Sequence, residues 1–159
     1  MAKIFNDSNS EYSSKKKEVP EYSWSSISDI GDRINSKNLK FNIRILEPGN
    51  YSFPYHSHRN AEEMFVILEG EALLRTPEGI EGVKAGDVVY FEMGPEGAHQ
   101  LKNNSDKPLK YVDIRTDLGM DVCDYPDSGK VNIIPDFEIY ETKNQVGYFY
   151  GEENIKDIW

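Results

Sequence analysis

His56 and His58 flank a single serine in the stretch HSHRNAEEMFVILEG, residues 56–70, and Glu62 and Glu63 follow closely. The third histidine of the chain, His99, lies well downstream in GPEGAHQLKN. In an extended strand, residues i and i+2 project to the same face. His56 and His58 therefore point the same way, as two imidazoles sharing one ion must. A tight return through Arg59-Asn60-Ala61 would bring a carboxylate beside both rings, and Glu62 and Glu63 compete for that role. His99 opens a strand of its own, with Leu101 and Asn103 on its face. Imidazoles and carboxylates are costly to bury without partners. Three neutral ring nitrogens plus one carboxylate suit a borderline divalent ion: Mn, Fe, Co, Ni or Zn. A lone histidine in a strand is more often a satisfied core or surface residue. The grouping of all three in two well-patterned segments favours a shared ion.

Four protein ligands on a six-coordinate ion leave room for a small-molecule substrate offering two oxygens, such as an α-hydroxy acid, a diketone or a sugar hydroxy-carbonyl. The ion would polarise a carbonyl as a Lewis acid, and iron would open oxygenation as well. A proton shuttle would need a nearby base. Tyr51, Tyr55, Tyr90 and Tyr111 are candidates, each otherwise a wall residue. A phosphorylated substrate would call for an inward Arg or Lys. Arg44, Arg75 and Arg115 lie on strands, with an outward, solvated position as the alternative. The chain offers no Gly-rich phosphate loop and no Ser–His–Asp set. Two other functions stay open: a non-catalytic module that binds or senses a small ligand, and a metal that merely staples the fold.

These residues need a scaffold, and the residues around them describe one. From Leu39 onward, short β-rich runs follow one another: KFNIRIL, YSFPYH, EMFVIL, EALLRT, IEGV, DVVYFE, AHQLKN and LKYVDIRT. Segments with turn chemistry, such as EPGN, PEG, KAG and NNSDKP, separate them. Short strands at this spacing without helical periodicity predict an antiparallel all-β sandwich or barrel. Residues 1–38 read as a polar N-terminal arm, with a short helix near Ser26–Ile34 and a disordered start. Residues 39–117 read as the barrel core. Residues 118–159 read as a loop-rich C-terminal extension, with short strands expected around residues 131–134, 138–141 and 146–150. Its aromatic content predicts that it packs on the barrel.

At 159 residues the chain is expected to form one domain with a substantial core. Its formal charge of −10 repels phosphate backbones and argues against a nucleic-acid partner. Lys15-Lys16-Lys17 is the only basic cluster and reads as solvated arm. Cys123 is the single cysteine, so no intrachain disulfide can form, which fits a reducing compartment. It reads as a small buried hydrophobe. No stretch is apolar for the ~20 residues of a membrane span, and the start MAKIFNDSNS lacks a signal-peptide core. A cytoplasmic protein is the expectation. Exposed sheet edges are commonly covered by arms or partner strands, which predicts a homodimer paired through the arm.

Residues 49–70 and 86–103 resemble the two signature motifs of the cupin superfamily, small β-barrels of jelly-roll type. The first family motif runs Gly, five residues, His-x-His, three or four residues, Glu, six residues, Gly. Here Gly49 precedes His56-x-His58 by six residues, and four residues separate His58 from Glu63. Six more lead to Gly70, a spacing that selects Glu63 over Glu62. In the second motif Gly86 is followed by DVVYF, with Glu92 where the family has Pro. Four residues rather than two then separate Gly94 from His99, while the step to Asn103 is kept. The likeness covers residues 40–116 and implies a jelly-roll barrel with His56, His58, Glu63 and His99 as metal ligands. GPEGAHQLKN and DVCDYPDSGKV further resemble single-domain bacterial cupins labelled as sugar-phosphate isomerases.

Overall fold

The computed structural model describes every residue except 1, 16–17, 28–29, 31–32, 34 and 158–159. Lys16 and Lys17 of the basic run, Ile34, Ile158, Trp159 and most of the helix expected over Ser26–Ile34 lie outside the described residues. Within that helix, Ser26 and Ile27 instead belong to a strand.

Thirteen strands are described: β1 (Tyr12–Lys15), β2 (Trp24–Ile27), β3 (Leu39–Leu46), β4 (Ser57–His58), β5 (Glu63–Glu69), β6 (Glu71–Thr76), β7 (Gly79–Lys84), β8 (Val88–Phe91), β9 (Gln100–Lys102), β10 (Leu109–Thr116), β11 (Asp121–Tyr125), β12 (Lys130–Ile134) and β13 (Glu138–Glu141). All the strand pairings are antiparallel. One layer is the six-stranded sheet β1-β2-β3-β10-β5-β8. The other consists of β13-β12-β11-β4 and β7-β6-β9. An antiparallel bridge between His56 and His99 joins these two sheets, so two site histidines stand at the seam. This is the antiparallel jelly-roll barrel that the strand pattern and the motifs implied. No helix among the described residues is long and apolar enough to cross a membrane.

The register of β3, β10 and β5 divides the interior into an apolar end and a polar end. Side chains on one face follow a period of two. Leu109 pairs with Leu46, Tyr111 lies between Arg44 and Ile67, and Asp113 lies between Asn42 and Phe65. Last comes Arg115, between Lys40 and Glu63. Aliphatic and aromatic side chains thus give way to charged ones along the same inward face. Leu46, Leu74, Leu101 and Leu109 are at most 1% exposed and tie both layers into one core with Phe65, Ile67 and Tyr111. Each such leucine contributes roughly 1.5–3 kcal/mol through burial. The core holds the polar end open without having to fill it.

Three sequence expectations change. YSFPYH makes no regular strand; Pro54 lacks the N–H a ladder needs, and pairing narrows to isolated bridges and the two residues of β4. The arm contributes β1 and β2, and β2 pairs with β3 of its own chain, Ser25 with Ile45 and Ser26 with Arg44. β2 thereby covers this edge of β3 from within the same chain. In the C-terminal extension, β11 joins the barrel through β4 and carries β12 and β13 with it. Beyond Pro135, β13 continues the sheet through β12, while several aromatic side chains of the described residues are exposed. Phe137, Tyr148, Phe149 and Tyr150 are all at least 70% exposed. Of residues 146–150, the first two are irregular and the last three form a turn, with no strand.

Candidate metal centre

His56 and His58 sit at and just before β4, Glu63 starts β5, and His99 precedes β9. None of the four is more than 6% exposed. Glu63 Oε2 lies 3.3 Å from His58 Nε2, 3.2 Å from His99 Nε2 and 4.0 Å from His56 Nε2. His56, His58 and Glu63 thus form a compact triad, which His99 approaches from across the seam. Glu62 is exposed, and its carboxylate accepts the Tyr90 hydroxyl at 2.7 Å. A one-residue step along the strand turns its side chain to the opposite face.

The far side of each ring fixes its orientation. His56 Nδ1 faces the Pro54 carbonyl at 2.8 Å, and His99 Nδ1 faces the Gly97 carbonyl at 2.9 Å. A carbonyl can only accept, so Nδ1 carries the hydrogen and, in the neutral ring, Nε2 presents a lone pair toward Glu63. His58 Nδ1 meets the Asp121 carboxylate at 2.5 Å and Cys123 Sγ at 3.3 Å. Glu63 Oε2 and His99 Nε2 are both buried without a hydrogen-bond partner. Converging acceptors at such spacing repel one another unless a cation lies between them. Ligand bonds of about 2.0–2.2 Å to one ion would separate neighbouring donor atoms by roughly 3 Å. The residues present therefore fit a divalent ion of the imidazole- and carboxylate-binding class.

Electrostatics in the metal-free protein are set by burial and by these neighbours. Burial, reinforced by the charge of His99, lowers the His56 pKa to about 3. At His58 burial also disfavours charge, but the Asp121 and Cys123 contacts and the negative charge of Glu63 overcome it and raise the pKa to about 11. Burial opposes ionisation of Glu63, yet the surrounding imidazoles hold its pKa well below the usual carboxylate range. Asp113 moves the other way, up to about 6, because burial and the nearby Glu63 outweigh the attraction of Arg44.

The loop before His99 explains the two extra residues of the second motif. Pro95–Gly97 forms a single 3-10 turn, anchored where the Gly94 N–H donates to the His58 carbonyl at 2.7 Å. A Cβ on Gly97 would stand 1.8 Å from the Glu92 carbonyl oxygen, so only glycine allows this approach. The expansion is thus absorbed beneath the ligand without moving its strand. Phe91 stacks on His99 at 3.7 Å between ring centroids and closes the inner wall. Asn103, fully buried, donates to the carbonyls of Leu46 and Lys107 and accepts from Ser105, which fixes the turn leading into β10.

A cavity of about 360 Å³ opens over the ligands and is lined by Arg44, Asp113, Arg115, Tyr125 and Asn132 among others. Of the candidates read from the sequence, Arg44 and Arg115 line it, with Arg44 Nε donating to Asp113 at 2.5 Å. The tyrosines do not. Tyr55 is buried beneath the Arg75 guanidinium, and Tyr90 is 58% exposed. Tyr51 faces Lys102, and Tyr111 is wholly buried, its pKa raised by desolvation. Arg75 makes a two-pronged contact with Asp127 on the surface. Arg75 and Tyr90 fall on the outward phase of β6 and β8, Tyr111 shares the inward face of β10 but lies at its apolar end, and Tyr51 and Tyr55 lie outside the regular strands.

Asp121 and Cys123 were not singled out as site residues, since MDVCDY reads as loop. A period-two signal was present: Asp121, Cys123 and Tyr125 share one face, with Val122 and Asp124 on the other. β11 places that face behind His58, pairing Cys123 with His58 directly.

Residues 42–115 match the family model of the cupin domain. Over 71 residues the chain is 32% identical to an uncharacterized protein of Methanocaldococcus jannaschii, covering 45% of this chain and 48% of that one. The match spans about half the length of that curated relative. Among solved structures, the chain resembles a candidate sugar phosphate isomerase of Acidithiobacillus ferrooxidans, with TM-score 0.80, 23% identity and coverage of 91% of this chain and 95% of that one. It also resembles a sugar phosphate isomerase from a cupin superfamily of Silicibacter pomeroyi, with TM-score 0.77, 21% identity and coverage of 92% and 98%. At these identities the structural likeness is one of fold. Motif spacing, strand order and the family match agree on residues 42–115, which carry a cupin domain.

Proposed function

We propose that this protein is a metal-dependent enzyme acting on a small oxygenated metabolite, with a proton shift between the carbons of a hydroxy-carbonyl compound as its reaction. The observation that carries this reading is the convergence of His56, His58, His99 and Glu63, of which His56, His58 and Glu63 line a cavity. A divalent ion held by those four side chains would supply Lewis acidity toward a substrate oxygen. The chain's own residues do the rest. Phe91 and Phe65 shield the ligands from water on the core side. Asp113 lines the cavity outside the ligand set and replaces Tyr55 and Tyr90 as the candidate proton carrier, with Arg44 holding its carboxylate in place. The two isomerase-named structural neighbours support the reaction class by analogy of fold.

Elemental analysis of the purified protein, followed by turnover assays on hydroxy-aldehydes and hydroxy-ketones with and without a phosphate group, tests this reading. One bound dication per chain and turnover abolished by Glu63→Gln are expected. Failure to bind any dication at micromolar concentration would remove the metal reading. The second reading is a non-catalytic module that captures a small ligand. It draws support from the cavity lining, which contains none of the tyrosines proposed as a base. Saturable ligand binding with a full metal site and no turnover would establish it in place of the enzyme.

A further inference from the structure

We propose that Arg115 is the anion-recognition residue of this cavity and that the ligand is a small molecule bearing a carboxylate or phosphate at one end. This rests on the metal reading only for where the other end of the ligand sits. Arg115 pairs in register with Glu63 across β10 and β5 and with Lys40 across β10 and β3. Its guanidinium therefore stands in the row of side chains that contains a proposed metal ligand. The side chain is 20% exposed, and the nearest carboxylate oxygen, Asp121 Oδ2, is 3.9 Å away. That is beyond hydrogen-bond reach. Both Asp121 oxygens are in any case engaged, Oδ2 by His58 Nδ1 at 2.5 Å and Oδ1 by the Asn60 N–H at 2.8 Å.

The other strand arginines make a useful contrast. Arg44 bonds Asp113 at 2.5 Å, and Arg75 bonds Asp127 through two nitrogens at 2.6 and 2.9 Å. The Arg115 side chain makes no hydrogen bond among the described residues. A guanidinium offers five donors in a planar fork that matches carboxylate and phosphate. Leaving it largely dry without a bonded partner is costly. The charge of the cavity points the same way. The chain as a whole carries −10, yet Lys40, Arg44 and Arg115 face only Glu63 and Asp113 in the lining. Arg44 is engaged by Asp113, and Lys40 lies at the more exposed rim, 3.0 Å from Asp117. Arg115 is the half-buried donor left facing the ligand.

The test is calorimetric titration of the full chain, both Mn(II)-loaded and metal-free, with inorganic phosphate, glycolate and neutral 1,2-ethanediol. Wild type is expected to bind phosphate or glycolate at least tenfold more tightly than the diol, and the stronger of the two identifies the anionic group. Arg115→Gln is expected to lose roughly tenfold or more of that affinity with Mn(II) affinity unchanged, the effect of removing a charge-assisted hydrogen-bond pair. Should Arg115→Gln fail to fold, Arg115→Lys decides: charge without the fork is expected to weaken anion binding several-fold. Anion binding that is equal in wild type and variant, or absent from wild type, overturns the proposal. Absence of Mn(II) binding defeats the metal reading separately, and the metal-free titration still decides the role of Arg115.

Discussion

Replacing Asp121 by asparagine probes how this site holds a metal without touching any of the four ligands. Asp121 accepts from His58 Nδ1 through Oδ2 and from the Asn60 N–H through Oδ1, and it is only 5% exposed. An asparagine can keep the Asn60 bond only by turning its amide N–H groups toward His58 Nδ1, which also carries hydrogen. To relieve that donor–donor contact, the neutral ring must move its proton to Nε2, the atom aimed at Glu63. Loss of such an orienting partner costs about 10–100-fold in metal affinity, or roughly 1.4–2.7 kcal/mol. In the metal-free protein a partner of a buried ion pair disappears, which costs about 3–5 kcal/mol. At roughly 2–4 °C per kcal/mol for a chain of this size, melting should fall by about 6–20 °C. Competition titration with Ni(II) or Mn(II) against a chromophoric chelator, paired with thermal melts, measures both quantities. Wild-type metal affinity in Asp121→Asn, at any melting temperature, would refute the orienting role.

Metal-free protein should lose stability as pH rises from 7 toward 10. His58 has a pKa raised from 6.5 to about 11, so between those values the folded state holds a proton that the unfolded state has released. The stabilisation is complete below about pH 6.5 and declines by about 1.4 kcal/mol per pH unit above it. Denaturant melts should show that slope, and saturating metal, which displaces the proton, should remove it. Gly97→Ala, whose Cβ would lie 1.8 Å from a backbone oxygen, should cost about 3 kcal/mol or more and weaken metal binding through His99; a melting temperature within 2 °C of wild type would contradict the turn assignment. Tyr90→Phe removes only an exposed hydroxyl bonded to Glu62, so stability should stay within about 0.5 kcal/mol and metal affinity should not change.

The sequence by itself carried the local rules. Period-two alternation announced antiparallel strands and HSH placed two rings on one face, while only the resemblance to the family motif favoured Glu63 over Glu62. Gly70 could be read as a position that excludes side chains. It has φ +81°, and a Cβ there would meet the Pro108 carbonyl oxygen at 2.5 Å. What the chain could not disclose was partnership across long separations. Asp121 supports His58 from 63 residues away, and Arg44 bonds Asp113 from 69 residues away. Such pairs depend on which strands become neighbours and in what register, and that is decided by global packing. The same reason explains the tyrosines. Each occupies a strand or turn near the ligands in sequence, but only the packed barrel fixes whether a given face meets the cavity, the core or water. The arm illustrates the point at larger scale: its β-branched and aromatic residues marked a segment that must dock, while the free edge of β3 decided where.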